Sequence, residues 1–254
     1  MQFSVLSSGS GGNATLVVAD SSAVLIDCGV SLKSLKERAD SISFDLNELT
    51  AVLVTHEHGD HAGNVAALAR KYQVPVYLTH GTAVATNMAA ERGVEIREIS
   101  PHREFSIGAL TIQPTPVPHD AREPCQFVLE DQNHNRLGIL TDIGSVTPHV
   151  EAHFQHCHAL ILEFNHDPEL LANCSYPESL KARVAGRYGH FSNRQASALL
   201  NKLAHPALGL IIAAHLSENS NTPEHVSEIL QAAPIDARWQ IAEQHQAMPL
   251  MQVI

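Results

Sequence analysis

Cysteine is scarce in this chain and never paired in sequence: Cys28, Cys125, Cys157 and Cys174 stand apart, with no C-x-x-C among them. That pattern excludes a zinc ribbon and a disulfide framework. Long apolar runs are missing too. The longest, residues 207–214, falls far short of the roughly 20 residues a membrane-spanning helix needs. Met1-Gln2-Phe3-Ser4 shows no basic segment leading into an apolar stretch, so no secretory signal is expected. Cations are outnumbered, with 16 Lys and Arg against 27 Asp and Glu and a net charge of −11, which argues against a uniformly basic nucleic-acid-binding face. No repeat, low-complexity tract or linker interrupts the sequence, so one domain over residues 1–254 is expected. With 44% hydrophobic and 17% charged residues there is ample material for a packed core. The expectation is a cytoplasmic protein with no membrane association and no obligate protein partner.

Histidine, by contrast, is abundant: 17 residues, more than lysine and arginine together. Most stand alone, and His80, His134, His149, His153, His156, His205 and His245 read as solvated surface. The others matter where they cluster with carboxylates. Short β-rich runs are expected at residues 3–6, 15–19, 24–26, 51–54 and 76–78, then 110–113, 126–129, 137–140, 159–162 and 208–213. Helical patterns cover 31–39 (with Ser31 as N-cap), 65–72, 82–92, 147–154, 179–185, 193–203 and 222–230. Strands mixed with helices in both halves predict an α/β (α+β) fold of two sheets covered by helices on their outer faces.

The strongest signal is His56-x-His58-x-Asp60-His61, directly after an apolar strand. In an extended segment His56 and His58 point the same way and can reach one ion. A turn at Gly59 is expected to reverse the chain and present Asp60 and His61 to a second ion. His119 follows two stiffening prolines in Pro116-Val117-Pro118-His119. Asp142 and His215 each end an apolar strand, where a carboxylate is costly unless positive charge offsets it. Imidazole and carboxylate donors suit Zn²⁺ first, with Mn²⁺ or Fe as alternatives, and require no thiolate.

The ordered set H-x-H-x-D-H, then His, Asp and His, resembles the metallo-β-lactamase superfamily over nearly the whole chain, from the first hairpin and its Ser8-Gly9-Ser10-Gly11-Gly12-Asn13 loop onward. The resemblance implies an αββα sandwich, two mixed β-sheets flanked by helices, with the site at one edge of the paired sheets. It implies two divalent ions per chain. His56, His58 and His119 would hold one, Asp60, His61 and His215 the other, with Asp142 and a hydroxide between them.

Within the superfamily, the missing signal peptide argues against a periplasmic lactamase. The short stretch after His215 leaves no room for the added helical domain of glyoxalase II-like enzymes. The interval from Asp142 to His215 has no space for a β-CASP insertion, and His58 departs from the flavodiiron pattern. Tyr188-Gly189-His190-Phe191-Ser192-Asn193 is similar in position to the extra histidine of RNase Z-like and PhnP-like phosphodiesterases. Lys181, Arg183, Arg187 and Arg194 surround it with no acid between Lys181 and Arg194, which suits an anionic backbone. This segment, together with Leu162-Glu163-Phe164-Asn165-His166-Asp167 and His215-Leu216-Ser217-Glu218-Asn219, resembles the YycJ/WalJ/VicX family, apart from Phe191 where leucine is expected.

That likeness implies a 5′→3′ exonuclease acting on DNA at single-stranded or nicked ends, with the metal-bridged hydroxide attacking phosphorus. Asp60 would accept a proton, and His190 would stabilise the phosphate or protonate the leaving oxygen. Ser10, Ser192, Asn193, Ser217 and Arg187 are the candidate substrate contacts. Asn165, His166 and Asp167 fit packing or substrate contact equally. The alternative is a metal-dependent thioester or lactone hydrolase on the same centre, which has no evident need for His190. A third reading is a non-enzymatic binding protein that keeps the fold, against which the intact ligand set speaks.

Overall fold

Side-chain alternation along the strands decides the layers of this molecule, whose computed structural model describes residues 1–253. In β11 (Ala159–Glu163), Ala159 and Ile161 face one way and Leu160 and Leu162 the other, and all four are buried. A strand apolar on both faces must lie between two layers. β12 (Leu210–Ala214) repeats the pattern, with Leu210, Ile212 and Ala214 inward and Ile211 and Ala213 outward.

Two seven-stranded sheets result. The first contains β1 (Gln2–Ser7), β2 (Ala14–Ala19), β3 (Ser22–Ile26), β4 (Ala51–Leu53), β5 (Val76–Thr79), β6 (Ile96–Ile99) and β14 (Met251–Gln252), in the order 14-1-2-3-4-5-6. The second contains β7 (Phe105–Ile107), β8 (Leu110–Pro116), β9 (Cys125–Glu130), β10 (Arg136–Leu140), β11, β12 and β13 (Arg238–Ile241), in the order 13-12-11-10-9-8-7. Pairing changes from antiparallel to parallel at β3–β4 in the first sheet and at β10–β11 in the second. Parallel neighbours need crossovers, and helices supply them. α1 (Leu32–Ser41), α3 (Val65–Tyr72) and α4 (His80–Ala85) cover the first sheet, and α5 (Pro148–His153), α8 (Asn193–Leu203) and α9 (Pro223–Ala232) the second. Between the sheets lies a shared apolar layer that includes Phe3, Val5, Leu53, Phe127, Ile139 and Ile161. No helix among the described residues is long and apolar enough to cross a membrane.

The expected αββα sandwich is therefore the observed one, with local differences. The helix expected over 82–92 breaks after α4, because Asn87 adopts a left-handed conformation (φ 52°) before a short 3₁₀ turn at Met88–Ala90. Four unexpected strands, β6, β7, β13 and β14, lie at the sheet ends. Arg97 and Glu98 in β6, and Arg238 and Gln240 in β13, are exposed, charged or polar as unpaired edges tend to be. α6 (Pro168–Asn173) was also unexpected; Asp167 caps it by accepting from the Glu169 and Leu170 amides. α7 (Glu178–Val184) fills the expected 179–185 segment.

One ion pair ties the sheets together. The Met1 ammonium lies 2.8 Å from Asp131 Oδ2, and both groups are buried. Burial opposes ionisation of Asp131, but the ammonium and Asn135 outweigh it and hold the carboxyl at about 2. With an unfolded value of about 3.9, the pair contributes fully above roughly pH 4 and is lost as pH falls towards 2. Asp131→Asn should cost about 1–2 kcal/mol near neutrality. Urea midpoints of the two proteins should converge below about pH 4; a gap constant with pH would mean that hydrogen bonding, not charge, supplies the difference.

Candidate metal centre

The strands deliver a ring of buried polar residues at one edge of the paired sheets. His56 and His58 follow β4, and Asp60 and His61 sit in α2 (Gly59–Ala62), a single helical turn with His58 at its N-cap. This corrects the expected reversal at Gly59. Gly59 is ordinary right-handed helix, and a Cβ there would meet nothing within 4 Å. The glycine that matters is Gly29, after β3, because any side chain there would overlap the Asp60 backbone carbonyl. Three residues just past strand ends, Asp27 (φ 61°), Asp142 (φ 54°) and His215 (φ 57°), are left-handed. Such conformations cost of order 1 kcal/mol each and persist where surrounding bonds fix them. Asp27 accepts from the Thr55 amide and hydroxyl, and the His215 amide donates to Ser8 Oγ.

Ring nitrogens and carboxylates converge in overlapping groups: His56, His58 and His119; Asp60, His61 and His215; His56, His61 and Asp142; and Asp142, Glu163, His190 and His215. His58 Nδ1 is 3.0 Å from His56 Nε2 and 3.4 Å from His119 Nε2. Asp60 Oδ2 is 3.4 Å from His61 Nε2 and 3.7 Å from His215 Nε2. All seven sequence-nominated metal ligands therefore meet at one place.

What orients the rings lies behind them. His61 Nδ1 donates to Asp27 Oδ2 (2.7 Å), His119 Nδ1 to the Gly189 carbonyl (3.0 Å), and His215 Nδ1 to Glu163 Oε1 (2.9 Å). Thr55 Oγ1, itself donating to Asp27, lies 3.0 Å from His56 Nδ1. With Nδ1 engaged, each of these rings turns Nε2 to the centre, the arrangement that fixes the tautomer of a metal-binding histidine. Asp27 and Glu163 were not singled out in the sequence. Each ends an apolar strand as a buried acid, the same signal that marked Asp142.

The donors fit a pair of divalent ions. Once Nδ1 of His61 carries the proton given to Asp27, Nε2 presents a lone pair. Asp142 Oδ2 faces it at 2.7 Å without hydrogen-bond geometry, and neither this oxygen nor His215 Nε2 has a hydrogen-bond partner among the described residues. Two acceptors face to face in a buried site need a cation. The same acids draw protons when no cation is bound: burial would lower His61 and His215, yet the carboxylates around them, Asp142 foremost, raise His61 and bring His215 to about 9, and a bound cation would replace those protons. His56 and His119, pushed down by burial, stay neutral. Glu163 is depressed to about 2 because His190 and His215 overcome its burial.

His190 Nδ1 lies 2.8 Å from Glu163 Oε1 and 3.2 Å from Asp142 Oδ1, and the residue lines a cavity of about 410 Å³ over the centre. Burial lowers His190, but Glu163 and Asp142 raise it well above the ordinary histidine range. Asp60, Ser10, Asp120, Tyr176 and Arg183 also line this cavity. The other nominated substrate contacts do not. Ser192 caps α8 in a capping box with Gln195, Asn193 is buried against Asn221, Ser217 bonds Ser220, and the Arg187 guanidinium stacks over Tyr188. Nor is the basic segment free of acids in space: Arg183 pairs with Asp120 and Lys181 with Glu178. Asn165 Nδ2 donates to the His215 carbonyl, and Asp167 caps α6.

Comparison with known proteins matches this geometry. A family profile described as "Beta-lactamase superfamily domain" covers residues 22–212. The chain is 32% identical over 243 residues to the exodeoxyribonuclease YycJ of Bacillus anthracis, spanning 91% of this chain and 89% of that one. It is 31% identical over 244 residues to the exodeoxyribonuclease WalJ of Streptococcus pneumoniae, spanning 92% and 89%. The crystal structure of the metallo-β-lactamase-fold protein YhfI from Bacillus subtilis superposes with a TM-score of 0.76 at 14% identity, covering 97% of this chain and 98% of that one. The chain belongs to the β-lactamase superfamily and, within it, to the family of YycJ and WalJ.

Proposed function

We propose that this protein is a dinuclear metal-dependent phosphodiesterase that works as a 5′→3′ exonuclease on DNA, at single-stranded or nicked ends. Likeness along the whole chain to two exodeoxyribonucleases supports the substrate class. The observation that carries the chemistry is His190, placed in the cavity wall with its inner nitrogen tied to Glu163. In this reading His56, His58 and His119 would hold one ion and Asp60, His61 and His215 the other, with Asp142 as the carboxylate shared between them. Zn²⁺ suits these donors best, with Mn²⁺ or Fe as alternatives. Bound ions supply charge for the phosphate and a water acidified enough to attack at neutral pH.

The chain's own groups do the rest. Glu163 fixes the Nδ1 proton of His190, which leaves Nε2 to carry a proton to the departing oxygen. Asp60, at the cavity wall, accepts the proton of the attacking water. Arg183, pinned by Asp120, brings positive charge to a neighbouring phosphate. Ser10 offers a hydroxyl in the cavity wall.

The test uses purified protein loaded with Mn²⁺ or Zn²⁺ and 3′-labelled DNA strands carrying 5′-phosphate or 5′-hydroxyl, with RNA in parallel. Stepwise shortening from the 5′ end is expected. Shortening from the 3′ end would overturn the polarity, and activity confined to thioesters or lactones would assign acyl hydrolysis instead.

A further inference from the structure

Two histidines read in the sequence as solvated surface are better explained together. His149 and His153 lie one turn apart on α5, so their rings project from the same face. The ring centroids are 4.5 Å apart. His56 and His58, with nitrogens 3.0 Å apart in the candidate centre, have the same 4.5 Å separation. A third ring, the exposed His102 in the loop between β6 and β7, stands 6.3 Å from His149. Among the described residues none of the three rings makes a hydrogen bond; His102 and His153 take part through backbone atoms only. The other surface pair, His156 and His205, differs. Its centroids are 5.6 Å apart, and both ring nitrogens of His205 are engaged, Nε2 with the Cys157 carbonyl and Nδ1 with the Ala207 amide.

We propose that His149 and His153 chelate a transition-metal ion of the zinc, nickel or copper class, with His102 turning in as a third donor. Imidazole-only donors select these ions over magnesium, calcium and manganese, and water completes the coordination. Chelation requires neutral rings. Burial, His149 and Arg136 all push His153 below the ordinary histidine range, which keeps its lone pair free. Arg136, whose charge bears on His153, is balanced by Glu130 at 3.1 Å. Glu151, between the two histidines in sequence, is occupied by Lys202. α5 is only six residues long and begins in the loop that carries Asp142, so an ion bridging its turns would stiffen that loop's far anchor.

Calorimetric titration of the metal-loaded protein with Zn²⁺ or Cu²⁺, checked by elemental analysis, tests this site. Wild-type protein should take up one equivalent more than His149→Ala or His153→Ala, with a matching rise in melting temperature. His102→Ala should weaken that equivalent, while His205→Ala leaves it intact. Strand hydrolysis should be unchanged in all four variants. The wild-type minus variant difference does not depend on how many ions the candidate centre holds, so failure of either assignment can be told from failure of the other. Equal uptake by wild type, His149→Ala and His153→Ala would overturn the proposal.

Discussion

Asp142→Ala should leave the protein unable to hold two ions and should lower hydrolysis more than loss of any single histidine ligand. Asp142 is almost fully buried, and its carboxylate is 2.7 Å from His61 Nε2, 3.3 Å from His215 Nδ1 and 4.0 Å from His119 Nε2. It therefore borders donors of both proposed ions. Two dications held side by side in this site would repel strongly unless an anion lay between them. Histidines bind such ions without neutralising them, and Asp60 faces one of the two, so Asp142 is the anion placed to offset the repulsion. Losing an outer-shell partner typically costs about 10–100-fold in affinity or activity. Asp142→Ala should exceed that range, with at most one ion per chain by elemental analysis. His58→Ala, the comparison, removes one of three nitrogen donors from one ion and should keep the other. Two tightly bound ions and near-normal turnover in Asp142→Ala would remove Asp142 from the bridge.

The same carboxylate shows what a sequence can disclose about such a site. His56, His58, Asp60 and His61 were legible because local spacing on an extended segment followed by a turn puts them together whatever the rest of the chain does. His119, Asp142 and His215 were legible as polar residues ending strands that are apolar on both faces. Asp27 and Glu163 carry that mark too, but their significance depends on which ring they meet, and that is set by register between strands distant in sequence: β3 beside β4, β11 beside β12. Four of the five nominated substrate contacts, all but Ser10, lie away from the cavity wall for a related reason. Ser192 and Asn193 look like phosphate donors as a pair, yet the start of α8 needs a cap and Asn221 needs a partner, so local hydrogen bonding claims both. The sandwich core was visible as buried runs. Its outer strands were not, because one exposed edge gives them too few apolar positions to show a period.

His190→Ala is the substitution on which the phosphodiesterase reading depends most. Its neighbour Glu163 is a poor probe, since Glu163 also holds the ring of His215 and its loss would disturb metal binding and proton delivery together. His190 reaches Glu163 and Asp142 through Nδ1, so removing the ring should leave the seven proposed ligands and their ions in place. A positioned proton donor contributes about 10²–10⁴-fold, and kcat on a DNA strand should fall by that order in His190→Ala. A nitrophenyl phosphodiester expels a stable phenolate that needs no proton, so its hydrolysis should fall far less, by about tenfold or under. Equal losses on both substrates would mean that His190 steadies the phosphate instead of protonating the leaving oxygen. Loss of metal from the variant would make His190 a ligand, and unchanged rates on DNA would leave it a structural partner of Glu163.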